Sequence, residues 1–141
     1  MKKRCRYFAS FDVAAKLVPK IRARATELVK KGRLISILDS IELLYEDDYD
    51  FFETDIKKNK ALYKMSLDFY NGVEKLFKMG CILRDSEKGY VDIFCQDGER
   101  TYFLCYNINE KEICHWHELD EECTDRKKIS LGINQNKVSK K

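Results

Sequence analysis

The stretch EICHWHELD, residues 112–120, carries both histidines of the chain, His115 and His117, on either side of its single tryptophan, Trp116. Glu118 and Asp120 follow at once. In an extended strand side chains alternate between faces, so His115 and His117 point to one face and can chelate one metal ion through their ring nitrogens. A catalytic zinc site needs a third protein ligand and an open position. Asp92 and Cys105, expected on neighbouring strands, are the candidates for that ligand. Glu118 points the other way and joins the set only after a bulge or a turn. The alternative is a strand-end histidine that simply hydrogen-bonds a neighbour.

Asp92 draws notice on its own account. A two-residue Asp97-Gly98 turn would pair Gln96 with Glu99 and set Asp92 opposite Phe103. Asp92 then shares a face with Tyr90, Phe94, Phe103 and Cys105, where a carboxylate is costly to bury unless it is paired. Arg84, Arg100 and Arg126 are the candidate partners, with Arg100 placed on the opposite face by the same turn. Such a carboxylate is either a buried ion pair that ties the sheet together or an acid or ligand with a perturbed pKa.

Other chemistries find less. There is no G-x-S-x-G elbow, no GxGxxG and no GxxxxGK[ST] phosphate loop. Cys105 or Cys114 beside His117 could form a Cys-His pair, although buried strand cysteines are usually inert. The six cysteines (Cys5, Cys81, Cys95, Cys105, Cys114 and Cys123) include no CxxC pair. Without an export signal they are expected to be reduced thiols packed as small hydrophobes.

Two kinds of element must position these residues. Up to about Gly80 the apolar period is helical. Val13, Leu17, Ile21, Ala25 and Leu28 follow a cap at Ser10, with Pro19 predicting a kink or a fresh helical start. Gly32 is a candidate break, and Leu34, Leu38, Ile41 and Tyr45 mark a second run that fades in EDDYD. A third helix is predicted from about Thr54 to Met79 along Leu62, Met65, Phe69, Gly72 and Leu76. Tyr63, Tyr70, Val73 and Phe77 widen its apolar face, which leaves room for a coiled-coil-like dimer seam. After Gly80 the period becomes two. CILRD, YVDIFC, RTYFLCY and EICHWHE read as strands, with the hairpin at Asp97-Gly98 and a second turn at NINE.

Length and charge bound the classes. At 141 residues one domain is expected, a single α+β unit over 1–130 with helices over about 8–80, a sheet over about 81–120, and a frayed polar tail at 131–141. The net charge of +3, from 27 basic and 24 acidic residues, is too even to imply nucleic-acid or membrane binding. KIRAR and KKNKALYK read as solvated helix faces. The basic start lacks the apolar run of a signal peptide and no stretch reaches membrane-spanning length, so a cytoplasmic chain is expected.

The succession YFASFDVAAKLVPKI, MGCILRD, GYVDI, FLCYNINEKEI, WHELD and DR resembles the bacterial and archaeal family called domain of unknown function 2203. The resemblance covers nearly the whole chain, with its specific matches in the second half. It implies that Asp85, Gly89, Asp92, Gly98, Cys105, Glu110, Trp116, His117, Glu118 and Arg126 occupy that family's polar and turn positions. His115 stands where the family usually has an aromatic, Arg84 where it has a lysine, and Asn109 and Lys111 where its turn has Gly and Pro. Glu122 and Asp125 stand where it has glycines. What the resemblance implies is an architecture rather than a reaction.

The expected fold is α+β: N-terminal antiparallel helices, one long, packed with a small antiparallel meander of three to four strands. Asp92, Trp116, His117, Glu118 and Arg126, with Asp85 beside them, are expected to gather at one sheet edge. The leading functional expectation is a non-enzymatic interaction or ligand-binding module that self-associates through helix faces. A metal-dependent hydrolase-like enzyme, with a divalent ion on His117, Asp92 and Glu118, is the alternative. A nucleic-acid accessory role is a distant third.

Overall fold

The computed structural model describes residues 11–40 and 48–129. Ser10, Ile41, Tyr45 and the polar tail lie outside the described residues. Among the described residues three helices, α1 (Phe11–Lys16), α2 (Val18–Ser40) and α3 (Asp48–Lys78), precede five strands. These are β1 (Cys81–Asp85), β2 (Tyr90–Asp97), β3 (Arg100–Asn107), β4 (His115–His117) and β5 (Lys127–Lys128). The strands form one antiparallel sheet in chain order. The α+β class stands, with one strand more than the sequence suggested.

The helical boundaries differ from expectation for local reasons. The break comes at Leu17, and Pro19 sits in the first turn of α2, where its missing N–H costs nothing. Gly32 does not break α2. An added Cβ there would stand 3.4 Å from Phe69 of α3, so the position serves helix–helix approach. Gly72 makes the reciprocal approach toward Leu28. The contacts Leu28–Gly72 and Gly32–Phe69 run in opposite senses along the two helices, so α2 and α3 are antiparallel. α3 begins at Asp48, ahead of the expected Thr54.

The sheet has two unlike faces. Val91, Ile93 and Cys95 of β2, Tyr102, Leu104 and Tyr106 of β3, and Trp116 of β4 pack with Ile21, Ala25, Leu28 and Leu76 in one core. The opposite face carries Asp92, Phe94, Phe103, Cys105, His115 and His117. Asp92, Cys105 and His117 are nonetheless buried, beneath the chain that joins β4 to β5.

The β2–β3 hairpin corrects the expected register. Asp97 pairs with Arg100, so the two-residue loop is Gly98-Glu99, and Gly98 takes a left-handed φ of +66°. A loop that opens on glycine suits the sheet's twist, because only glycine adopts that conformation freely. Asp92 therefore faces Cys105 rather than Phe103. The slip is two residues, an even number, so Asp92 keeps its expected face.

β4 is also shorter than EICHWHE. Arg22 of α2 donates to the carbonyls of Glu110 and Lys111, both at 2.8 Å, which holds 108–112 in a loop. The five described cysteines, Cys81, Cys95, Cys105, Cys114 and Cys123, are free thiols; Cys5 lies outside the described residues. No helix among the described residues is long and apolar enough to cross a membrane.

Candidate metal centre

β2 delivers Asp92, β3 delivers Cys105 directly across from it, and β4 delivers His117 one strand further. The fourth member is Cys123, from the short 3-10 turn Cys123–Asp125 between β4 and β5. One ligand-capable atom from each of these four residues lies within 4.8 Å of all the others. Asp92, Cys105 and His117 are buried and Cys123 is half-buried.

The turn that brings Cys123 in closes without glycine. Asp125 N–H donates to the Glu122 carbonyl at 2.9 Å, and the Asp125 carboxylate accepts from Glu122 N–H at 3.2 Å. An acid at this position supplies the second bond that holds the turn. Upstream, Glu121 accepts from Glu118 N–H at 2.9 Å and pairs with Lys127 of β5. The loop is thus fastened at both ends over the polar face.

Around the cluster, charges are matched. His117 Nε2 lies 2.9 Å from Asp92 Oδ1, and its Nδ1 lies 2.8 Å from the Glu118 carbonyl. A carbonyl only accepts, so Nδ1 carries a proton and donates to it. Burial works against the His117 charge. The Asp92 hydrogen bond, the Cys123 thiol and the Glu118 carbonyl outweigh burial and raise its pKa to about 10. Cys123 moves down to about 6: a hydrogen bond from Cys105 favours its thiolate, burial opposes, and His117 adds to the stabilisation. Cys105 moves far up, because it supplies that hydrogen bond and is itself buried. Without metal, His117 and Arg84 therefore balance Asp92 and the Cys123 thiolate.

Arg84 neutralises the far oxygen of Asp92, with Nε 2.8 Å from Oδ2. It sits at a bulge: Leu83 pairs with Val91 and Asp85 with Tyr90, so Arg84 is the extra residue in β1. Its guanidinium lies over the Phe103 ring, 5.2 Å from the centroid. Arg84 was one of three candidate partners for Asp92, and it is the one that arrives. Arg126 instead forks onto Glu110, at 3.3 and 3.4 Å, and lies over the Tyr90 ring.

The remaining expected site residues go elsewhere. Glu118 points to the opposite face and pairs with Arg100 at 3.1 Å, so it belongs to neither the cluster nor a metal set. Strand alternation is the reason. His115 shares the face of His117, but its Nδ1 turns to Glu110 at 3.4 Å, and the two-histidine chelate does not form. Trp116 is buried in the helix-side core with Arg100 and Lys127 over its ring at 5.0 and 4.9 Å. Asp85 caps its own hairpin, accepting from Glu87 and Lys88 N–H at 2.8 Å each. Those backbone bonds, the one from Lys88 first, lower its pKa against a small opposing burial.

A cavity of about 380 Å³ reaches the cluster from solvent, lined by Arg84, Asp92 and Cys123 with Asp85, Lys88 and Tyr90. Cys123 is the residue that sequence reasoning missed. It lies on a loop with no period, and only the folding of that loop over the sheet brings it to His117.

A family described as "Uncharacterized conserved protein (DUF2203)" matches residues 6–129, and the chain belongs to that family. No curated protein and no solved structure matches the chain.

Proposed function

We propose that this member of the DUF2203 family is a metal-binding protein whose centre is Cys105, His117, Cys123 and Asp92. The observation that carries the reading is the convergence of four donor atoms within 4.8 Å. Two thiolates, an imidazole and a carboxylate are a donor set suited to zinc, and too soft for magnesium or calcium. The protonated Nδ1 of His117 leaves Nε2 as the ligating nitrogen, oriented by the Glu118 carbonyl. Binding displaces protons from His117 Nε2 and Cys105. The ion would staple the loop 118–126 to β2, β3 and β4.

The test is the metal content of chain purified without chelator and of apo-protein reconstituted with zinc. One zinc per chain is expected. Cys123→Ser and His117→Ala lose it, whereas Cys114→Ser, at an exposed thiol outside the cluster, keeps it. Failure of the wild-type chain to retain zinc at any stoichiometry overturns the proposal.

The cavity supports a second reading, the metal-dependent hydrolase-like enzyme. If Asp92 stays with Arg84, only Cys105, His117 and Cys123 hold the ion, and the fourth position faces the cavity. Cobalt substitution separates the two. A tetrahedral spectrum indifferent to azide favours the structural centre, and one that azide alters favours the open site.

A further inference from the structure

Two of the donors in the centre, Cys105 and Cys123, are thiols that can also bond to each other. Their Sγ atoms lie within 4.8 Å, and a disulfide needs them at about 2.0 Å. Cys105 is fixed in β3, between Asp92 of β2 and His115 of β4. Cys123 stands on the short turn Cys123–Asp125, outside the strands, so the approach falls to that turn. The two sulfurs also differ in access. Cys105 is fully buried, whereas Cys123 is half-buried and lines the cavity of about 380 Å³ with Arg84, Lys88 and Tyr90. A reagent that enters this cavity meets Cys123 first, with Cys105 within reach of it. No other described cysteine combines access with such a partner. Cys81 and Cys95 are fully buried in the helix-side core, and Cys114 is exposed outside the cluster.

We propose that Cys123 and Cys105 are a redox pair, oxidised by hydrogen peroxide to a disulfide that evicts the metal ion. The eviction rests on the metal-binding reading; the disulfide does not. The Cys123 thiolate attacks one peroxide oxygen, so an S–O bond forms, the O–O bond breaks, and hydroxide leaves and takes up a proton as water. The Cys105 sulfur then attacks the sulfenic sulfur of Cys123. The S–S bond forms, the S–O bond breaks, and the departing hydroxide becomes water with the Cys105 proton or, in the loaded centre, with one from solvent. Each sulfur is oxidised by one electron, and one peroxide is reduced to two waters. With both sulfurs spent, His117 and Asp92 remain, one imidazole and one carboxylate, too few donors to hold zinc. The disulfide then fastens the loop 118–126 to β3 in place of the ion.

Hydrogen peroxide added to the zinc-loaded and to the metal-free full chain tests this, in Cys114→Ser so that Cys123 is the only cysteine of its tryptic peptide. Each chain is expected to lose two thiols to titration after denaturation and to regain them with dithiothreitol. Non-reducing mass spectrometry finds peptide 101–111 joined to peptide 112–126, and a colorimetric indicator finds one zinc released per loaded chain. In Cys123→Ser the loss of two thiols slows about tenfold or more. In Cys105→Ser dimedone traps Cys123 as the sulfenic acid. A disulfide formed in a chain that never holds zinc supports the redox pair and sinks the metal reading instead. Peroxide that leaves Cys105 and Cys123 unlinked overturns the proposal, and zinc retained at the same time leaves the metal centre standing. Linkage of either sulfur to Cys5 also overturns it, as does passage of Cys123 straight to the sulfinic acid.

Discussion

At the scale of single residues, the chemistry rests on His117 and Asp92, two ionisable side chains almost wholly buried against each other. Each makes the other tolerable. His117→Ala removes the buried partner of the carboxylate and leaves it with Arg84 and Cys123 on a desolvated face, and a loss of about 3 kcal/mol in metal-free urea unfolding is expected. The pH response has two components of opposite sign. His117, near 10 when folded against an ordinary 6.5, stabilises fully below pH 6.5 and loses that contribution as pH rises through 10. Cys123, near 6 when folded against an ordinary 9, stabilises fully above pH 9 and loses it as pH falls through 6. Between about 6.5 and 9 the two changes offset. The urea midpoint of the metal-free wild type therefore stays level across that window, apart from other groups. In Cys123→Ser the compensation is gone and the midpoint falls as pH rises. A Cys123→Ser midpoint that is flat or rising there contradicts the His117 assignment. The same thiolate makes Cys123 the first cysteine alkylated by iodoacetamide at pH 7 in the metal-free chain, ahead of the exposed Cys114, whose pKa burial and then Glu110 raise. Peptide mass spectrometry reads the order.

At the scale of elements, the site depends on how tightly two hairpins and one loop are held. The β1–β2 turn places the Arg84 bulge. Gly89 stands there at φ +80°, and an added Cβ would come within 2.6 Å of Ile108. Gly89→Ala meets both a left-handed backbone and a side chain of the β3–β4 loop, so a loss of about 2 kcal/mol or more is expected from urea midpoints. Gly98 has the same sign of φ at +66° but nothing within 4 Å. Gly98→Ala therefore costs only about 1 kcal/mol, and similar losses at the two positions would undercut the steric argument. The elements themselves were legible at the level of type. The change from a period near 3.6 to a period of two divides the chain at Gly80, and β1, β2 and β3 fall on CILRD, YVDIFC and RTYFLCY. Gly32 misled because a glycine inside a helix reads as a break, whereas here it admits Phe69. β5 escaped notice because two lysines carry no strand signal. They are a strand only because Trp116 and His115 of β4 offer them an edge.

At the scale of the whole molecule, the centre and the core are joined through β4. Trp116 faces the helices and His117, its neighbour in sequence, faces the cluster. Filling the centre should therefore stabilise the entire fold, since binding to the folded state alone adds about 2.7 kcal/mol at a ligand concentration a hundred times Kd. The single tryptophan, fully buried beside Tyr102, Arg100 and Lys127, reports unfolding directly. Zinc should raise the midpoint of the fluorescence transition and excess chelator should reverse it. In His117→Ala neither treatment moves it. A zinc effect that survives His117→Ala would place the ion elsewhere.

The sequence by itself determined the α+β class, the order of the helices and first strands, and the faces of Asp92, His117 and Glu118. These depend on periods, and the faces survived a two-residue register error because alternation is unchanged by an even slip. Tertiary structure alone decided the membership of the centre. Cys123 enters because a loop folds across the sheet, His115 stays out with its ring turned to Glu110, and Arg84 rather than Arg126 reaches Asp92 because β1 bulges. Each depends on distances between segments far apart in the chain, which no local pattern encodes. What began as two histidines around a tryptophan is one histidine with an aspartate and two cysteines.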